Sequence, residues 1–185
     1  MSTNFLGIDV PAPSGIACSV VETPREGRTW QGPSASDRLA ILRRTRSVAI
    51  VGASNNPARA SYFVGTYLLS SSDFDVYFVN PNASEILGRP AYPSLEALPV
   101  VPDLVDVFRR HDDLPTVLAE TIAVGAKTLW LQLGSWHEDV AREGEAAGLE
   151  VVMDRCIKIE HARFHGGLHL AGFDTGTISS RRAHA

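Results

Sequence analysis

Cysteine is scarce in this sequence, with only Cys18 and Cys156 among 185 residues. A disulfide framework is therefore excluded, and a reducing compartment, the cytoplasm, is expected. An excess of positive charge is missing as well. Seventeen Lys and Arg stand against 21 Asp and Glu, for a formal charge of −4. No general basic field draws such a chain onto nucleic acid, so an anion must be held locally, by backbone N–H groups and a few arginines. No apolar run reaches the length of a membrane span. Residues 1–21 lack the basic start and long apolar core of a secretory signal. Neither nucleic acid nor membrane is an expected partner. The sequence also has no three-glycine dinucleotide fingerprint, no Walker loop, no convincing metal-ligand set and no nucleophile–base pair at a familiar spacing.

What is present is ordinary globular material, 44% hydrophobic and 21% charged, in a length that fits one domain with tails. Residues 1–33 hold four prolines and four glycines without sustained periodicity. They read as an extended or disordered arm. A short helix is expected from Ser36 to Arg44. Beyond it, short apolar runs recur at Ser47–Val51, Val76–Val79, Leu104–Phe108, Thr128–Leu133 and Glu150–Met153. Runs of this kind suit parallel strands covered on both faces. Between them, Leu114, Val117, Leu118 and Ile122 mark one face of a helix. Ser135-Trp136-His137-Glu138 reads as the capping box of another, with Gly148 as its stop. The pattern predicts an α/β, Rossmann-like three-layer sandwich with a mostly parallel five-stranded sheet over residues 34–160. Residues 161–185 read as a tail packed on the domain or on a partner.

Open sheets of this type bind ligands beyond the carboxyl ends of their strands. The first such segment is Gly52-Ala53-Ser54-Asn55-Asn56-Pro57, leading to a helix near Arg59. Gly52 permits a sharp turn, while Ser54 and the helix-start amides suit phosphate oxygens, with Arg59 near enough to add a charge-assisted bond. The second strand ends in Asn80-Pro81, where an NAD site would place Asp or Glu for the ribose hydroxyls. NAD is disfavoured on both counts.

These residues, together with Glu85-Ile86-Leu87-Gly88, Tyr92-Pro93-Ser94-Leu95, Val105–Arg110, Trp130–Gly134 and Val152–Cys156, resemble the small bacterial and archaeal CoA-binding proteins. Those are stand-alone relatives of the CoA-binding domain in the succinyl-CoA synthetase alpha subunit. The resemblance covers roughly residues 36–160 and implies coenzyme A, or an acyl-CoA, as ligand. It implies Gly52, Ala53 and Ser54 under the diphosphate, and Asn80 and Pro81 beside the adenosine. Val107, Phe108 and Arg109 would form a wall, and Gln132, Leu133 and Gly134 a groove toward the pantetheine arm. Arg59 or Arg110 is our own candidate for the 3′-phosphate.

Cys156 ends the fifth expected strand, where Arg155 and Lys158 would favour a thiolate. A redox role through that thiol is one alternative; a small buried hydrophobe is the other. His161, His165 and His169 are spaced by four, but Gly166-Gly167 interrupts the helix a metal face would need, and a polar tail is expected. The synthetase's further phosphohistidine domain and partner subunit have no counterpart in this length, so binding without catalysis is expected. A homodimer or a partner enzyme would suit the arm and tail. An NAD(P)-linked oxidoreductase stays as the remaining alternative.

Overall fold

Helix α1 (Ala35–Arg44) begins where Ser34 and Asp37 cap one another: the Asp37 amide donates to Ser34 Oγ at 3.2 Å, and Asp37 Oδ2 accepts from the Ser34 amide at 3.0 Å. This reciprocal pairing satisfies two amides that a helix start otherwise leaves open. The computed structural model describes residues 27–165. After α1 come β1 (Ser47–Val51), α2 (Ala60–Ser71), β2 (Asp75–Val79), β3 (Glu85–Ile86), β4 (Arg89–Tyr92) and β5 (Leu104–Val107). They are followed by α3 (Leu114–Ala123), β6 (Thr128–Leu131), α4 (Glu138–Ala146), β7 (Glu150–Val152) and α5 (Ile157–His165).

The strands form one sheet in the order β3-β4-β2-β1-β5-β6-β7. All neighbours are parallel except β3 and β4. Strands β1, β5 and β6 are buried at every position, as expected when helices cover both faces. One core layer joins Ala49, Val105 and Leu129 of the sheet to Val117 and Leu118 of α3 and Val140 of α4. The other joins Val48, Ile50, Phe78 and Trp130 to Ile41 of α1, Leu68 of α2 and Ile157 of α5. The three-layer α/β sandwich is therefore present.

Among the described residues the sheet has seven strands rather than five. The added pair is a hairpin, β3 turning through Leu87 (φ 50°) and Gly88 (φ 72°) into β4. Positive φ at both central residues is the two-residue turn that matches strand twist. Its strands of two and four residues, one with Pro90, are too short to show a period. Leu87 holds a conformation disfavoured for a side chain, and Asn55 is what pins it. The Leu87 amide donates to Asn55 Oδ1 at 2.9 Å, and Asn55 Nδ2 donates to the Glu85 carbonyl at 2.8 Å.

Three local expectations are corrected. On α3 the buried position is Thr121, whose Oγ1 donates to the Val117 carbonyl at 2.7 Å, while Ile122 is 40% exposed. The Ser135–Glu138 capping box does not form. Ser135 lies in a turn in which its amide donates to Gln132 O, and His137 caps α4 instead, Nδ1 accepting from the Val140 amide at 3.4 Å. Finally, residues 27–33 are not a loose arm. Trp30 is buried, sets its ring edge-on to Trp136 and donates from Nε1 to Glu145 at 3.0 Å. One aromatic residue supplies enough apolar area to anchor a segment that has no period of its own.

Candidate functional site

The loops after β1, β2, β5, β6 and β7 meet along the carboxyl edge of the sheet. At its centre, the chain crosses from β1 and β2 to the β5 half, the switch point where open sheets leave a crevice. Gly52 turns there with φ +82°. Its amide donates to the Val79 carbonyl at 3.0 Å, and the Phe108 amide donates to Val51 O at 2.8 Å. These bonds press the β5 loop against Gly52 so closely that a Cβ there would lie well inside contact distance of the Phe108 carbonyl and 3.2 Å from Arg109 Cδ.

A cavity of ≈ 160 Å³ opens beside this turn on the α3 side of the sheet. Gly52, Pro81 and Arg109 line it, so three expected site residues from three loops come together; Ser94, Asp113 and Glu120 line it too. Arg109 Nη2 pairs with Asp113 Oδ2 at 3.2 Å. Ser94 follows the hairpin; Asp113 and Glu120 come from the start and outer face of α3. Sequence reasoning missed all three, although Tyr92–Leu95 had been singled out, because nothing local marks a helix residue as facing another loop.

The remaining expected residues divide by what their side chains already do. Asn80 braces the turn from below, its Nδ2 donating to Ala53 O at 2.8 Å. Ala53 and Val107 are buried, so they can offer a ligand backbone or a wall but not a reaching group. Ser54 Oγ accepts the Asn56 amide at 3.1 Å. Asn55 has both amide atoms committed to the hairpin. Arg59 is exposed and stands at the start of α2, which has no side-chain cap. Phe108 is half-buried in the opposite core layer.

Gln132 points inward, not into a groove. Its Nε2 donates to Asp106 Oδ1 at 2.5 Å, and Gln132 is 8% exposed. Leu133, by contrast, is 64% exposed at the loop tip. The Gly134 amide donates to Asp154 Oδ1 at 2.7 Å, and Arg28 Nη1 bonds Oδ2 of the same carboxylate at 2.8 Å. Asp154 thus holds the β6 loop and the incoming segment together.

Cys156 caps α5, its carbonyl accepting the Glu160 amide at 3.0 Å. Burial pushes its thiol up, with the Asp106 carboxyl adding to the rise and the amides of Ile159 and Lys158 opposing it. The expected thiolate is therefore disfavoured: desolvation of the charged form outweighs the nearby lysine. His161 is also unlike its expectation. It is buried on α5, its Nδ1 3.0 Å from Tyr67 Oη and its ring stacked on His165 at 4.0 Å. His169 and Gly166-Gly167 lie outside the described residues.

Asp106 is fully buried between Ile50 of β1 and Trp130 of β6, and its Oδ2 has no hydrogen-bond partner among the described residues. Burial pushes its carboxyl up to about 8, with Gln132 opposing. The folded state thus keeps a proton that the unfolded state releases near pH 4, so this group's stabilisation is complete below that pH and is lost as pH rises to about 8. His161 works in the opposite sense between about pH 6.5 and 4, because burial holds it down to about 4. Stability should therefore fall as pH rises from 6.5 to 8, with a slope of no more than one proton. Asp106→Asn should flatten that slope in urea unfolding; an unchanged slope would assign it elsewhere.

Residues 46–162 match the family model described as CoA binding domain. The chain is 36% identical over 132 residues to the uncharacterized protein YneT of Bacillus subtilis, covering 71% of this chain and 97% of that one. A hypothetical protein from Pyrococcus horikoshii superimposes with a TM-score of 0.68 at 35% identity, over 76% of this chain and 99% of that one. A Thermus thermophilus protein does so at 0.67 and 33%, over 71% and 99%.

Proposed function

The chain belongs to the CoA-binding domain family, and from that premise we propose that it binds coenzyme A or an acyl-CoA at the edge centred on Gly52, as a binding module and not as a catalyst by itself. The observation that carries the proposal is the cavity beside Gly52, walled by Pro81 after β2 and Arg109 after β5. Its place at the switch point is where an adenosine diphosphate would sit. The Gly52 backbone approaches the ligand without a Cβ in the way, and the uncapped start of α2 offers amides to the diphosphate. The adenosine occupies the cavity, with Arg109 and the β5 end as its wall.

The pantetheine arm then runs past the exposed Leu133 and Gly134. Gln132 supports that loop from beneath through Asp106, and Asn80 supports the turn through Ala53; both are positioning residues. An acyl group would ride at the open end of the arm. We place the protein in the cytoplasm, where a partner enzyme would supply or use the bound thioester.

Calorimetric titration of the full chain with CoA, acetyl-CoA, NAD and NADP tests this. CoA and acetyl-CoA should bind with micromolar or tighter affinity and the dinucleotides at least about tenfold more weakly, a gap of about 1.4 kcal/mol. Tighter binding of NAD than of CoA would overturn the proposal.

A further inference from the structure

The cavity beside Gly52 carries a charge pattern that bears on which nucleoside it accepts. Positions 113, 116, 117 and 120 recur at helical spacing, so Asp113, Thr116, Val117 and Glu120 present one face of α3 and its start to the cavity. The opposite wall is Gly52, Val79 and Pro81, which bring backbone and apolar surface but no charge. Among the described lining residues one cation, Arg109, faces two carboxylates, and Asp113 already holds its guanidinium at 3.2 Å. Glu120 therefore adds a negative charge that the described lining does not balance. Arg59 and Arg110 are exposed and outside the lining.

A carboxylate accepts hydrogen bonds and donates none. It suits the hydroxyls of a ribose or the amino group of adenine. A ribose phosphate is the reverse case, carrying between one and two negative charges and acceptors only. Brought within a few ångströms of Glu120 it is repelled even at the dielectric of water. The start of α3 does not compensate, because Asp113 already occupies its favourable field and Pro115 removes one amide.

We propose that this cavity selects an adenosine with free ribose hydroxyls, with Glu120 as the residue that sets the preference. The 3′-phosphate of CoA is then left in solvent and contributes no affinity. This departs from the 3′-phosphate role first considered for Arg59 or Arg110, and it rests on the CoA reading above.

The test is calorimetry of the full chain with CoA and 3′-dephospho-CoA at low and moderate salt. Dephospho-CoA should bind at least as tightly as CoA, with any gap narrowing as salt screens the repulsion. Glu120→Gln should shift the ratio of the two dissociation constants toward CoA by about threefold or more. Glu120 is exposed, and a thermal melt of the variant checks that its fold is intact. If CoA binds about tenfold tighter than dephospho-CoA, or if Glu120→Gln leaves the ratio unmoved, the selection is wrong while the CoA reading stands. If neither ligand binds, the CoA reading itself fails.

Discussion

Gly52→Ala should lower stability by roughly 2–4 kcal/mol, the sum of two separate costs. The first is conformational, since φ +82° is a region that side chains rarely occupy. The second is steric and comes from backbone, not from a side chain that could swing away. The Phe108 carbonyl stands where the methyl would go, and the Phe108 amide is tied to Val51 O at 2.8 Å. Relief requires the β1 and β5 loops to separate, which also deforms the cavity wall at Arg109. For a chain of this length the melting temperature should drop by roughly 5–15 °C. On the CoA reading, affinity should fall at least about tenfold as well, because the turn and the wall move together. Gly134→Ala makes a useful contrast. Its φ is also positive, at +86°, but nothing lies within 4 Å of an added Cβ, so only the conformational cost applies. Equal losses in the two variants would show that close approach at Gly52 is unimportant.

The second large effect is expected far from the site. Glu160 of α5 sits between two arginines with all three side chains nearly inaccessible. Arg38 Nε of α1 is 2.9 Å from Oε2, and Arg163 Nη1 is 3.5 Å from Oε1. Arg38 also donates to the Pro33 carbonyl at 2.6 Å, so the cluster fastens the segment before α1 as well. Removing the carboxylate takes a shared buried partner from both guanidiniums, and breaking a buried pair this way costs about 3–5 kcal/mol. Glu160→Gln should accordingly unfold at markedly lower denaturant concentration. Arg38→Met should cost less, because Glu160 keeps Arg163 and the methionine fills much of the space. Lys127→Met supplies the exposed comparison. Its pair with Asp103 spans 2.9 Å, yet the lysine side chain is 71% exposed, and such pairs contribute about 1 kcal/mol or less. A Glu160→Gln loss no larger than that of Lys127→Met would mean that the cluster is solvated or compensated by neighbours.

The parallel core strands were legible because each is a short apolar run closed by Gly, Asn, Pro or charge, and burial on both faces demands that composition. The hairpin was not, because Glu85–Tyr92 is too short to carry a period and its turn depends on Asn55, thirty residues earlier. Thr121 took the buried place expected of Ile122 because its hydroxyl can bond within the helix, a route that hydrophobicity alone does not display. The α4 start was misplaced for a related reason. Glu138 had the right spacing for a capping box, but Thr29 claims it, donating from its amide to Oε1 at 2.7 Å and from Oγ1 to Oε2 at 2.5 Å.

The sequence by itself determined the layer architecture and the position of the turn at Gly52. Both follow from local rules: apolar periodicity selects strand or helix, and a strand-to-helix turn with glycine exposes amides at a known edge. Only the tertiary structure decided what faces that turn. Gln132 and Asn80 look like ligand residues in the chain but spend their side chains on Asp106 and Ala53. Asp113 and Glu120 look like ordinary surface charge on a helix, yet they line the cavity beside Gly52. Packing of α3 against the β1–β5 half of the sheet places them there, and such a long-range meeting leaves no spacing in the sequence.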